Sequence, residues 1–174
     1  RLLAMPDQTC IKGFRDYVLL ECLYSTGMRV SECLALQRSA IDLQAGQLTV
    51  LGKGGRQRCI PLTAQLQRVL ARYLAQSFVG VLLFQGTKTQ ALSRQRVFML
   101  IKYYAKKAGL DTRRVSPHQL RHACATHLIE GGARLRETQL LLGHRQLAST
   151  QIYTKVSTSY LKKRYQQAHP RAAR

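Results

Sequence analysis

Ser116-Pro117-His118-Gln119-Leu120-Arg121-His122 organises the reading of this 174-residue chain. Serine accepts hydrogen bonds from the free backbone N–H groups of a helix start, and proline is preset for the first helical position. Glutamine three residues after the cap completes a capping box. A helix is therefore predicted from Ser116 to Glu130. His118 falls in its first turn, and Arg121, three residues on, shares its face beside unpaired N–H groups and the positive end of the helix dipole. That arrangement suits a phosphate, although a solvated His and Arg on an ordinary helix would show the same pattern. His118 and His122 also have the i, i+4 spacing of a zinc-protease helix. Gln119 stands where the general base of such a site would be, and cationic Arg121 lies between the histidines, so hydrolytic zinc chemistry is disfavoured. His122 and His127 are expected instead as packed, hydrogen-bonded side chains.

Working outward, helical periodicity predicts Leu135 to Leu142, a short piece around Ser149 to Tyr153, and Ser157 to Ala168 on one side. On the other it predicts Ser93 to Ala108, Thr63 to Gln76 and Phe14 to Ser25, the last ending near Thr26 where Gly27 suits a left-handed cap. Glu32 to Leu36 reads as a short second helix, followed by a loop from Asp42 to Gly46. The period then changes. Gln47 to Leu51 and Arg56 to Ile60 alternate like strands around Gly52-Lys53-Gly54-Gly55, which predicts a β-hairpin, and Val81 to Phe84 is expected to add a third strand. The expected fold class is mainly α with a small antiparallel β-sheet, an α+β arrangement in one domain.

Composition narrows the function. With 45% of residues hydrophobic, the chain can hide roughly 70% of its unfolded surface in one core. Twenty-eight Lys and Arg against eight Asp and Glu leave a net charge of +20, which favours a polyanionic partner, nucleic acid first. The acids (Asp7, Asp16, Glu21, Glu32, Asp42, Asp111, Glu130, Glu137) are spread without the clustered pairs that a two-metal nuclease needs. No apolar run has the length of a membrane span, and Arg1 to Cys10 has no signal-like apolar core, so a cytosolic or nucleoid location is expected. Five cysteines without a C-x-x-C pair are expected as free thiols, largely buried.

Further candidates lie elsewhere in the chain. Arg29, in Thr26-Gly27-Met28-Arg29-Val30-Ser31-Glu32, sits at a helix junction where Glu32 could orient it. Lys53 rides the hairpin tip; no Ser or Thr follows it and a strand rather than a helix comes next, so this is no nucleotide-binding P-loop. Flanking glycines leave it free to touch a nucleic-acid backbone or to donate a proton in a groove. Gly143 ends a helix and throws His144 out of the apolar run, and the short helix after it presents Tyr153. Core packing is the ordinary use of such a tyrosine.

The order Arg29, Lys53, His118-x-x-Arg121, His144, Tyr153 closely resembles the tyrosine recombinase (phage integrase) family. The boxes are Thr26-Gly27-Met28-Arg29-Val30-Ser31-Glu32, Leu51-Gly52-Lys53-Gly54, His118-Gln119-Leu120-Arg121-His122, Leu141-Leu142-Gly143-His144 and Thr150-Gln151-Ile152-Tyr153-Thr154. The resemblance runs from about Phe14 to Arg171, and the ending Ala168-His169-Pro170-Arg171-Ala172 is most like the bacterial Xer recombinases, the XerC type especially. Lys155 stands where many relatives have histidine. The resemblance implies a catalytic domain spanning 1–174, without the N-terminal helical core-binding domain that family members carry.

It also implies a chemistry: Arg29 and Arg121 on the non-bridging oxygens of a DNA phosphate, His118 and His144 adding hydrogen bonds, Tyr153 as nucleophile forming a 3′-phosphotyrosyl link, and Lys53 protonating the departing 5′-oxygen. His118 would accept the tyrosine proton. No cofactor, ATP or divalent ion is implied. The implied partners are double-stranded DNA and a recombinase tetramer that includes a homologous partner recombinase, with no membrane; for Xer relatives the role is chromosome dimer resolution. The last helix, with Tyr160, Leu161 and Tyr165 on one face, would dock on a neighbouring subunit or on its own core. A type IB topoisomerase uses a very similar constellation, and a noncatalytic basic DNA-binding protein would explain the charge alone.

Overall fold

The computed structural model describes residues 1–52, 55, 57–76, 80–86, 92–143 and 158–172. Helix α1 (Ile11–Thr26) is buried around most of its circumference, with Phe14, Val18, Leu19, Leu20, Cys22 and Leu23 all in the core. A helix covered on every side must bury polar positions too. Asp16 is satisfied by Arg15 and by the Tyr104 hydroxyl, and Glu21 by Ser25 at 2.9 Å, with Arg171 near its second oxygen. The helix stops where expected: Gly27 has φ 58°, and a Cβ there would lie 2.3 Å from Leu142 Cδ2. Glycine is thus required both by the left-handed turn and by the close approach of a distant segment.

Helix α2 (Val30–Leu34) follows at once, then a three-stranded antiparallel sheet in the order β1 (Ile41–Asp42), β2 (Gln47–Leu51) and β3 (Gln57–Pro61). The β2–β3 register pairs Leu48 with Ile60 and Val50 with Arg58, and Leu48, Val50 and Ile60 all face the core. The expected hairpin is therefore present, but the expected third strand is corrected. Residues 81–84 do not join the sheet, because Ile41–Asp42 already pairs with the free edge of β2. That run instead pairs with the chain leaving α2, through Arg38 N to Val81 O and Leu83 N to Leu36 O, and sends Leu83 and Phe84 into the core.

The remaining helices are α3 (Ala64–Leu74), α4 (Arg94–Lys107), α5 (Pro117–Glu130), α6 (Leu135–Leu142) and α7 (Thr158–Ala168). Thr63, Ser93 and Ser116 cap α3, α4 and α5 through their hydroxyls. The short helix expected around Ser149 to Tyr153 lies outside the described residues. All five cysteines are free; Cys22, Cys33 and Cys124 are buried, Cys10 and Cys59 exposed. No helix among the described residues is long and apolar enough to cross a membrane.

The last helix packs on the core of its own chain. Tyr165 is fully buried and its hydroxyl donates to Ser25 O, Arg164 reaches Gly132 O at 2.8 Å, and Tyr160, still partly exposed, donates to Glu137 at 3.1 Å. His169, just past α7, lies buried against the rings of Tyr165 and Tyr24, its Nδ1 accepting from Arg171 N. Burial, helped by nearby His127 and Arg171, pushes the imidazole down to about 4 from an ordinary 6.5. Between those values the unfolded chain binds a proton that the native site refuses. The His169 contribution to stability is therefore complete above pH 6.5 and disappears as pH falls through about 4. An NMR titration of the His169 ring is expected to give a midpoint near about 4; a midpoint at the free-histidine value would mean that α7 is not seated on its own core.

Candidate active site

The site is built around the start of α2. Arg29 is its N-cap residue, in extended conformation, and Glu32 at the third helical position turns back to accept from Arg29 N at 2.8 Å. The same carboxylate accepts from Arg29 Nη1 at 3.1 Å, from Arg58 Nη1 at 2.9 Å and from Arg58 Nη2 at 2.8 Å. Four donors thus fill the four lone-pair sites of one buried side chain. Burial alone would raise the Glu32 carboxyl, yet the donors from Arg58 and Arg29 hold it down to about 2.

The same arginines converge on the end of α6. Arg58 Nε donates to Leu141 O at 3.3 Å, Arg121 Nη2 to Leu142 O at 2.7 Å, and Arg29 Nη2 reaches Gly143 O at 3.5 Å. Three guanidinium groups from α5, β3 and the α1–α2 junction thereby cover consecutive carbonyls at a helix C-terminus, where backbone acceptors lack partners and the dipole is negative. Gly143 has φ 70°, and a Cβ there would press on the Arg58 guanidinium at 3.2 Å. Arg121 Nη1 closes the arrangement by donating to Gly27 O at 2.5 Å. The Arg121 pKa is lowered first by burial and then by the neighbouring positive charge of Arg29.

Exposure separates the arginines by task. The Arg29 side chain is 48% exposed and that of Arg58 10%, while Arg121 as a residue is 8% exposed. A guanidinium carries five N–H donors, and among the described residues Arg29 and Arg121 each use two of their guanidinium nitrogens, Arg29 on Glu32 and Gly143, Arg121 on Gly27 and Leu142. Three cations facing one carboxylate leave an excess positive charge that an oxyanion would neutralise, and bidentate guanidinium contacts suit phosphate oxygens.

Among the residues singled out from the sequence, Arg29 and Arg121 are brought together here. His118 is exposed on the first turn of α5, one turn before Arg121, behind a cap in which Ser116 Oγ accepts from Gln119 N at 3.2 Å. Lys53, His144 and Tyr153 lie outside the described residues. His127 is packed and bonded as expected, its Nδ1 lying 2.9 Å from the Tyr24 hydroxyl. The expectation for His122 is corrected: it is exposed, because it lies on the solvent side of α5 while Arg121 and Cys124 turn inward. Arg58 was not recognised from the sequence. The signal was available: strand alternation puts Arg58 two residues from buried Ile60 on the inward face, and a charge there demands a buried partner.

Residues 1–159 match the phage integrase family. This chain belongs to that family. Among its relatives, the tyrosine recombinase XerD of Xanthomonas axonopodis pv. citri (strain 306) is 43% identical over 183 residues, covering 98% of this chain and 60% of its own length. The XerD of Yersinia pestis is 42% identical over 178 residues, with the same coverages of 98% and 60%. The chain thus spans about 60% of the length of these curated relatives. Among solved structures, the integrase from mycobacterium phage Brujita superposes with a TM-score of 0.79 at 27% identity, over 99% of this chain and 56% of the other. The XerA recombinase gives 0.72 at 30% identity, over 98% and 62%. A pre-cleavage complex of XerH site-specific recombinase bound to difH substrate gives 0.72 at 28% identity, over 88% and 47%. The mainly helical fold with a small antiparallel sheet is that of the family's catalytic domains.

The Glu32 junction makes a prediction about stability. Glu32→Ala leaves the nearly buried Arg58 without its counter-charge, and urea unfolding is expected to register a loss of about 3 kcal/mol. A change within 0.5 kcal/mol or so, the size of an ordinary surface substitution, would contradict the junction described.

Proposed function

We propose that this chain is the catalytic part of an Xer-like site-specific DNA recombinase, cleaving and rejoining double-stranded DNA through a 3′-phosphotyrosyl intermediate. The observation that carries the reading is the meeting of Arg29 and Arg121 at the end of α6, immediately before the stretch that begins with His144 and contains Tyr153. Relatives named as tyrosine recombinases over nearly the whole chain support it.

In this reading the two arginines grip the non-bridging oxygens of the scissile phosphate. As Tyr153 attacks phosphorus, the additional negative charge of the pentacoordinate transition state falls between guanidinium groups already fixed in place, so little reorganisation is needed. His118 takes the tyrosine proton and, with His144, donates to the phosphate; Lys53 protonates the departing 5′-oxygen. The phosphotyrosyl ester conserves the energy of the broken bond, so rejoining needs no nucleotide. The net charge of +20 holds the duplex backbone, and α4 contributes exposed Arg94, Arg96, Lys106 and Lys107 with no acid along its length. The partners proposed are duplex DNA and further recombinase subunits, one of them a homologous partner, assembled as a tetramer in the bacterial cytoplasm at the nucleoid for chromosome dimer resolution.

The nucleophile is tested by covalent capture on a nicked suicide duplex. Tyr153→Phe is expected to abolish the covalent adduct while retaining DNA binding; undiminished adduct would remove Tyr153 from this role. Exchange between paired sites supports a recombinase, whereas relaxation by a lone subunit would identify a topoisomerase-like enzyme. Affinity for duplex DNA is expected to fall linearly in log–log form with salt, as counterion release requires, and a flat response would argue against a backbone footprint.

A further inference from the structure

We infer that Arg58 is a positioning residue for the reaction: by gripping Glu32 and the carbonyl end of α6 together, it fixes Arg29 and the C-terminal end of α6 in one geometry. The inference rests on the functional reading above. Each nitrogen of its guanidinium has a partner, Nε on Leu141 O and the two terminal nitrogens on separate oxygens of Glu32. Its side chain is only 10% exposed, and its contacts are internal to the protein. Arg58 therefore acts through what it holds.

Two things are held. The first is the orientation of Arg29: Glu32 accepts from both its backbone N–H and its Nη1, and Arg58 in turn fixes the plane of that carboxylate through a fork-to-fork pair. The second is the distance between α2 and α6, since the one planar group bonds to both. Gly143 is adapted to that fit, because any Cβ would crowd the guanidinium at 3.2 Å. Lysine could neutralise Glu32, but a single ammonium cannot reproduce the planar three-way contact.

The test compares the parent 174-residue chain with Arg58→Lys and Arg58→Met. Rates of covalent capture are measured at saturating nicked duplex, across pH, below each variant's melting temperature. Arg58→Lys is expected to capture about 10-fold to 100-fold more slowly, the range seen when a supporting contact behind a functional group is lost, with DNA affinity changed less than about threefold. Arg58→Met is expected to slow further and to show an acid limb in addition to the one that a histidine proton acceptor gives the parent. Its Glu32 loses the two Arg58 donors and keeps, among the described residues, those from Arg29, with Arg121 a further nearby charge, so its carboxyl rises. Should Arg58→Met fail to fold, the lysine variant alone decides. Parental capture by Arg58→Lys with an unaltered pH profile overturns this inference only; absence of any adduct from the parent overturns the functional reading and this inference with it.

Discussion

One buried carboxylate, Glu32, accepts four hydrogen bonds from Arg29 and Arg58, and the rest of the site inherits its geometry from that junction. A carboxylate desolvated inside a protein is costly unless its lone pairs are filled and its charge is opposed. Glu32 has both, which is why it remains ionised far below the usual carboxylate range. Through Arg58 the junction reaches the end of α6, and through Arg29 it opens to solvent. Breaking it removes a structural ion pair and disorients a half-exposed guanidinium in the same stroke.

The helix terminus opposite contributes as much as the side chains do. The last carbonyls of α6 have no partners within their own helix, and this fold answers them with guanidinium groups. Those guanidiniums come from segments far apart in sequence, so the site exists only when α1, α2, β3, α5 and α6 are all in place. The close packing of Gly27 against Leu142 allows the approach: a larger residue at that turn would hold α6 away from α1. The +20 charge has a local counterpart here, since three cations facing one carboxylate remain short of negative charge until an oxyanion arrives.

Much of this was legible in the sequence where local physics decides. The caps of α3, α4 and α5, the stop at Gly27 and the β2–β3 hairpin follow from hydroxyl caps, a left-handed glycine and alternation around a glycine-rich turn. Arg29 and Arg121 could be proposed as partners because each sat at a helix end suited to an anion. What escaped is what depends on tertiary competition. The pairing of Ile41–Asp42 with the free edge of β2 is a two-residue contact with no periodic signature, and it displaced 81–84 from the sheet. Glu21 breaks the apolar periodicity of α1, yet the enclosure of that helix on all sides buries it. Arg58 was passed over because a basic residue in a strand of a strongly basic chain looks unremarkable until its partner across the fold is known. The packing of α7 on its own core rests on Tyr165 and Ser25 meeting in space, a contact with no local signature.

The central claim is that Arg29 and Arg121, positioned through Glu32 and the end of α6, close on one and the same phosphate. A crystal structure of this chain with Tyr153→Phe on a duplex containing its cleavage site measures that directly. The account predicts both guanidinium groups within hydrogen-bond distance of the non-bridging oxygens of a single phosphate, with Arg58 still bridging Glu32 and Leu141. Arginines resting on different phosphates, or Arg121 turned wholly to backbone carbonyls with no contact to DNA, would contradict it.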